Sequence, residues 1–244
     1  MPTSQPEEDA KVLNFGDVCL RRSDVCLLNA PHWLNDQIIT FYYEYAADEK
    51  FKDLDGLLLV AGEVSHLLSN SSAADAALVL EARSPAVHEK ELVLFAVNDN
   101  TSVEKAGGSH WSLLLYCRST STFRHYDSLS TRGSRAAATK LYRSVGPTLG
   151  AGRECPLVHV EGMPQQENGY DCGVYVLMVT DALCTAAQAQ WSKACRTRSG
   201  VGMALDLDGV ERALETWLTP KAVSAFRLTL LELVAELQQR KREE

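Results

Sequence analysis

The stretch Met163-Pro164-Gln165-Gln166-Glu167-Asn168-Gly169-Tyr170-Asp171-Cys172-Gly173, followed by the apolar run Val174–Val179, decides how this chain is read. Its first half is polar and turn-prone, with Asn168-Gly169 tolerating positive φ. Asp171 stands where a helix N-cap belongs, which puts Cys172 on the first helical turn. At that place the partial positive charge of the helix end and its unpaired amides favour a thiolate over a thiol. Gly173 adds no side chain, so a substrate could approach the sulfur closely. A cysteine there is more often a small core hydrophobe than a nucleophile, so a base and an orienting group must be found elsewhere.

Working upstream, His110-Trp111-Ser112-Leu113-Leu114-Leu115-Tyr116-Cys117 reads as a strand, and Phe123–Ser128 as a second one after the polar turn Arg118–Thr122. A hairpin reverses direction, so His110 and Asp127 fall at the same open end. An imidazole–carboxylate hydrogen bond follows from that geometry. Cys172, His110 and Asp127 then form a nucleophile, a base and an orienter. The Cys172 N–H and the Gln166 side-chain amide are the candidate oxyanion donors. The remaining histidines (32, 66, 88, 125, 159) have no such partner in view and read as surface or core residues.

Elsewhere the pattern is that of one large α+β domain. Residues 1–11, rich in Pro, Glu, Ser and Asp, are expected to be disordered, and 12–240 to be the domain. A helix opens at Asn35 or Asp36 and carries Ile38, Phe41, Tyr42 and Tyr45 inward. Residues 57–82 read as one or two helices (Leu57–Val60, then Ala73–Leu80), and Glu91–Val97 as a buried strand. A polar loop follows from Asn98 to Ser109. Ser134 is a possible cap for a helix to Leu149, and Leu157–Val160 is a further short strand. The Cys172 helix should run to about Thr185. The Ala- and Ser-rich segment 185–208 then reads as an insertion or connector, and two final helices follow, the second opened by Thr219-Pro220.

The chain has 244 residues, 24 basic against 32 acidic, for a net charge of −8. That disfavours nucleic acid as a partner and favours a cationic peptide or protein. No apolar run reads as long enough to cross a membrane, and no signal peptide is visible. The seven cysteines are odd in number and lack a CxxC pair. They read as reduced thiols in cytosol or nucleus, with no metal or other cofactor expected.

Four strings occur in order: Trp33-Leu34-Asn35-Asp36, Gly108-Ser109-His110-Trp111-Ser112-Leu113-Leu114, His125-Tyr126-Asp127-Ser128 and Gln165–Gly173. Together they resemble the Ulp/SENP family of ubiquitin-like-protein-specific cysteine proteases, and the Asn98-Asp99-Asn100 loop is most similar to its deneddylase branch. The resemblance implies a papain-like fold of the Ulp/adenain type, with a mixed sheet packed by helices and the cysteine helix central. It implies Cys172, His110 and Asp127 as triad and Gln166 as oxyanion residue. Trp33 and Trp111 match tryptophans over a tunnel that admits only a Gly-Gly tail. Asp36 matches an acidic position that pairs with a basic residue of the modifier. The loop beginning at Asn98 matches one that closes over the tail. The implied partner is a ubiquitin-like modifier, Nedd-type first and SUMO next, acted on by a monomer that processes precursors, lysine isopeptides or both. A catalytically silent modifier-binding module, a SUMO-directed protease and a thioester-forming acyltransferase are the alternatives.

Overall fold

The computed structural model describes residues 9–105, 107–150, 155–197 and 204–243. Two short strands, β1 (Lys11–Phe15) and β2 (Val18–Arg21), pair antiparallel and lead into α1 (Arg22–Cys26). The expected disorder of 1–11 falls mostly outside the described residues. At its end, however, Asp9 accepts the Ser23 N–H and hydroxyl, and Lys11 opens a strand.

A five-stranded mixed sheet forms the centre, in the order β3 (Leu57–Val60), β4 (Leu92–Asn98), β5 (Trp111–Cys117), β6 (Thr122–Tyr126), β7 (Leu157–His159). The outer pairs are parallel and the two inner pairs antiparallel. Every β5 residue is buried, and so is β4 except Asn98. A strand covered on both faces keeps apolar residues on both, which is why these segments read as runs rather than alternations.

Helices make the two covering layers. On one side lie α2 (Asp36–Tyr45), α6 (Cys172–Thr197), α7 (Leu207–Trp217) and α8 (Pro220–Glu243), around one core that includes Leu113, Leu115, Leu177 and Leu230. On the other, α3 (Gly62–Ser69), α4 (Ala73–Arg83) and α5 (Arg132–Leu149) enclose Phe95, Leu114, Phe123 and Leu141. The sheet with helices on both faces is the expected α+β, papain-like arrangement.

Four local expectations change. Leu57–Val60 is a strand: four apolar residues have no resolvable period, and its parallel bond to β4 is non-local. The cap of α5 is Thr131, whose Oγ1 accepts the Ser134 N–H at 3.0 Å; Ser134 sits inside the first turn. α6 continues to Thr197 rather than ending near Thr185, because Ala187 and Trp191 still face the core, and 198–203 lie outside the described residues. Finally, Cys172–Ser192 is long and apolar enough to cross a membrane, contrary to the reading of the bare sequence. Some 67% of its most apolar stretch is buried within the domain, as befits a helix packed between β5 and α8.

Candidate active site

The β5–β6 hairpin sets the first half of the site. Leu113 pairs with Tyr126, so His110 and Asp127, each one residue beyond a strand end, come together. His110 Nε2 lies 2.6 Å from Asp127 Oδ1, with both side chains buried. Burial alone would pull the His110 pKa down, but the Asp127 carboxylate and then the Cys172 sulfur outweigh it and raise it to about 9. Burial pushes Asp127 the other way from its partners: the His110 ring, the Ser134 hydroxyl and the Leu129 N–H hold its carboxyl well below the usual range. Among the described residues His110 Nδ1 makes no hydrogen bond of normal geometry, so the ring has one nitrogen fixed and one unfilled.

The second half is the start of α6. The Asp171 carbonyl accepts the Tyr175 N–H, which places Asp171 at the N-cap and Cys172 on the first turn. The Asp171 carboxylate bonds Arg227 Nε at 2.8 Å and Asn168 Nδ2 at 2.7 Å. Asn168 in turn caps the turn, its Oδ1 accepting the Tyr170 and Asp171 N–H groups. Gln166 is buried, its Oε1 accepting the Ser128 hydroxyl at 2.8 Å and its Nε2 donating to the Asn168 carbonyl at 2.6 Å. One hydrogen of that amide is thereby engaged.

A groove of about 500 Å³ runs up to these groups. Trp33, Asp36, Asn98, His110, Trp111 and Cys172 are among the residues that line it. Its two tryptophans differ: Trp33 is half exposed, whereas Trp111 is buried and donates its indole N–H to the Leu34 carbonyl at 3.0 Å. Burial, then Glu63, raises the Asp36 pKa.

Gly173 does not line the groove. A Cβ there would stand 3.0 Å from the Leu34 Cβ, so the close approach it permits is by the chain's own Leu34, not by a ligand. Sequence reasoning also missed several residues. His66, read as surface or core, lines the groove and its Nε2 lies 3.0 Å from the Ser102 carbonyl. Asp99 accepts the backbone N–H groups of Ser109 and His110, pinning the loop's end to the base of His110. Gly108, at φ +90°, leaves the space filled by the Asn98 amide: a Cβ would lie 1.8 Å from Asn98 Oδ1. The Asn98-Asp99-Asn100 signal was visible as loop chemistry, but its partners were not.

Among the described residues no cluster of three or more His, Cys, Asp or Glu is arranged to hold a metal. A buried thiol on a helix start, an imidazole with one open nitrogen and a carboxylate behind it are the parts of acyl transfer through a thioester.

Known proteins point the same way. Residues 32–200 match the model of the Ulp1 protease family, C-terminal catalytic domain. The chain is 41% identical over 178 residues to sentrin-specific protease 8 of Mus musculus, covering 72% of this chain and 79% of that protein. It is 36% identical over 183 residues to NEDD8-specific protease 1 of Arabidopsis thaliana, covering 72% and 76%. In fold it is similar to the C-terminal Ulp1 protease domain solved in complex with Smt3, the yeast ortholog of SUMO, with a TM-score of 0.56 at 21% identity over 92% of this chain and 89% of that one. A solved de-sumoylating protease gives 0.59 at 16% identity, over 92% and 88%. With the matched segment spanning the groove, the hairpin and the cysteine helix, the chain belongs to the Ulp1 protease family of cysteine peptidases.

Proposed function

We propose that the chain hydrolyses the bond after the C-terminal Gly-Gly of a ubiquitin-like modifier, with a Nedd-type modifier preferred. The observation that carries this is the groove whose lining includes Cys172 and His110 together with Trp33 and Trp111. The names of the relatives, sentrin-specific protease 8 and NEDD8-specific protease 1, support the choice of modifier.

In this reading Cys172 Sγ attacks the terminal glycine carbonyl while the open nitrogen of His110 takes the thiol proton. The same imidazolium returns it to the leaving amine, giving a thioester and a free amine. Water, deprotonated by His110, then attacks the thioester and releases the modifier's carboxylate and the thiol. Asp127 holds the ring and stabilises its charged form. The Cys172 N–H and the second hydrogen of the Gln166 amide receive the oxyanion. Trp33 and Trp111 leave room for a chain without side chains, the Asn98–Gly108 loop covers it, and Asp36 pairs with a basic residue beside the tail.

The test is a panel of Nedd-type, SUMO and ubiquitin conjugates, each carrying a fluorophore amide on its terminal glycine. The Nedd-type conjugate should have the highest kcat/KM, and Cys172→Ala should abolish cleavage while retaining modifier binding. Faster cleavage of SUMO or ubiquitin would overturn the preference, and an active Cys172→Ala variant the mechanism.

A further inference from the structure

Arg227 is a buried cation on α8, 56 positions from Asp171. It lies on the inward stripe of that helix, in line with Val223, Leu230, Val234 and Leu237. A guanidinium offers five N–H groups in a fixed fork. Here Nε goes to Asp171 Oδ1, Nη1 to the Leu27 carbonyl at 2.9 Å and the Leu28 carbonyl at 3.4 Å, and Nη2 to the carbonyls of His32 at 2.9 Å and Tyr170 at 3.2 Å. The guanidinium also lies 5.5 Å from the Tyr170 ring centroid.

These partners are not scattered. Asp171 and Tyr170 immediately precede Cys172, and His32 immediately precedes Trp33. Leu27 and Leu28 begin the turn that leads from α1 toward that tryptophan. One side chain thus ties down the backbone entering the thiol and the backbone entering one wall of the groove. Between them, Leu34 packs on Gly173 and accepts the Trp111 indole N–H, which closes the circuit. A lysine could satisfy the charge of Asp171 but not four carbonyls in two separate segments.

We propose that Arg227 is a positioning residue that fixes Cys172 and Trp33 relative to each other, so that the seating of α8 sets the geometry of a site it does not line. The proposal rests on Cys172 being the nucleophile. It predicts two distinguishable defects. Asp171→Asn keeps the shape and every carbonyl contact and loosens only the start of α6. Arg227→Lys releases both segments.

The experiment measures kcat and KM on a Nedd-type fluorogenic conjugate, and the rate of iodoacetamide labelling at Cys172 followed by peptide mass spectrometry. Both are normalised to the folded fraction from circular dichroism. Asp171→Asn should lower kcat and labelling several-fold with KM within twofold of wild type. Arg227→Lys should lower kcat tenfold or more and also raise KM several-fold. If both variants keep wild-type kcat, KM and labelling per folded molecule, Arg227 is a stability element only and the proposal fails. If Arg227→Lys does not fold, Asp171→Asn decides alone, and an unchanged kcat and labelling rate overturns it. Wild-type protein that labels at Cys172 but turns over no conjugate would defeat the hydrolytic reading alone, and the labelling rates of the two variants would then decide the positioning role.

Discussion

Two buried carboxylates stand on either side of the Cys172–His110 junction, and they face very different cations. Asp127 faces an imidazole, which can gain and lose a proton. Asp171 faces a guanidinium, which cannot. The first pair joins the ends of a hairpin only 17 residues apart; the second joins two helices across the domain. A titratable partner makes a carboxylate part of the chemistry, whereas a permanent one makes it part of the frame.

The sharpest way to break this contrast is to neutralise each carboxylate in turn. Asp127→Asn should leave the fold intact yet lower kcat/KM by about 10³–10⁴-fold, since the amide favours the wrong imidazole tautomer; steady-state kinetics on the fluorogenic conjugate will measure it. Asp171→Ala should instead cost stability. Stranding a buried guanidinium destabilises by about 3–5 kcal/mol in urea unfolding, and adding Arg227→Met to Asp171→Leu should not restore it, because the carbonyls of Leu27, Leu28, His32 and Tyr170 then lose their donor. An Asp171→Ala variant as stable as the wild type would mean the pair is no frame at all.

A pH series separates the pairs further. His110 is raised to about 9 in the folded protein against an ordinary histidine value near 6.5. Its contribution to stability is therefore complete below about 6.5 and disappears as pH climbs through about 9. Unfolding free energy should fall across that window in the wild type and much less in Asp127→Asn. A flat wild-type profile would contradict the His110–Asp127 coupling. The smallest effect belongs to Ser134, whose hydroxyl donates to Asp127 Oδ2. Ser134→Ala should cost about 1.5–3 kcal/mol in urea unfolding at neutral pH, the worth of one hydrogen bond to a charge. Because Asp127 is held low, its contribution is present above the ordinary carboxylate range and lost on acidification. The variant should lose it at higher pH than the wild type does.

The same contrast explains what the sequence made legible. His110 and Asp127 were readable because strand, turn and strand are contiguous and the partner follows from chain reversal. Cys172 was readable because Asn168-Gly169 and the apolar run that follows mark a helix start. Arg227 was not singled out, although one signal existed: it interrupts the buried stripe Val223–Leu237 with a charge, and a cation there requires an anion facing it. Nothing local says that the anion is Asp171. Leu57–Val60 failed for a related reason, since its strand identity resides in a parallel neighbour 35 residues away. The extension of α6 to Thr197 was hidden by polar and small residues whose inward face shows only once Ala187 and Trp191 have a core to meet. Gly173 was assigned to the ligand when it belonged to Leu34.

A last consequence lies in the wall of the groove. Gly62, the first residue of α3, stands so close to the Trp111 indole that a methyl group added there would come within 2.6 Å of the ring. The indole rests against bare backbone in the wall of the groove. An alanine at 62 would tilt the ring and narrow or skew the bore, although position 62 reacts with nothing. The wall of this groove is thus shaped in part by an atom that the chain leaves out.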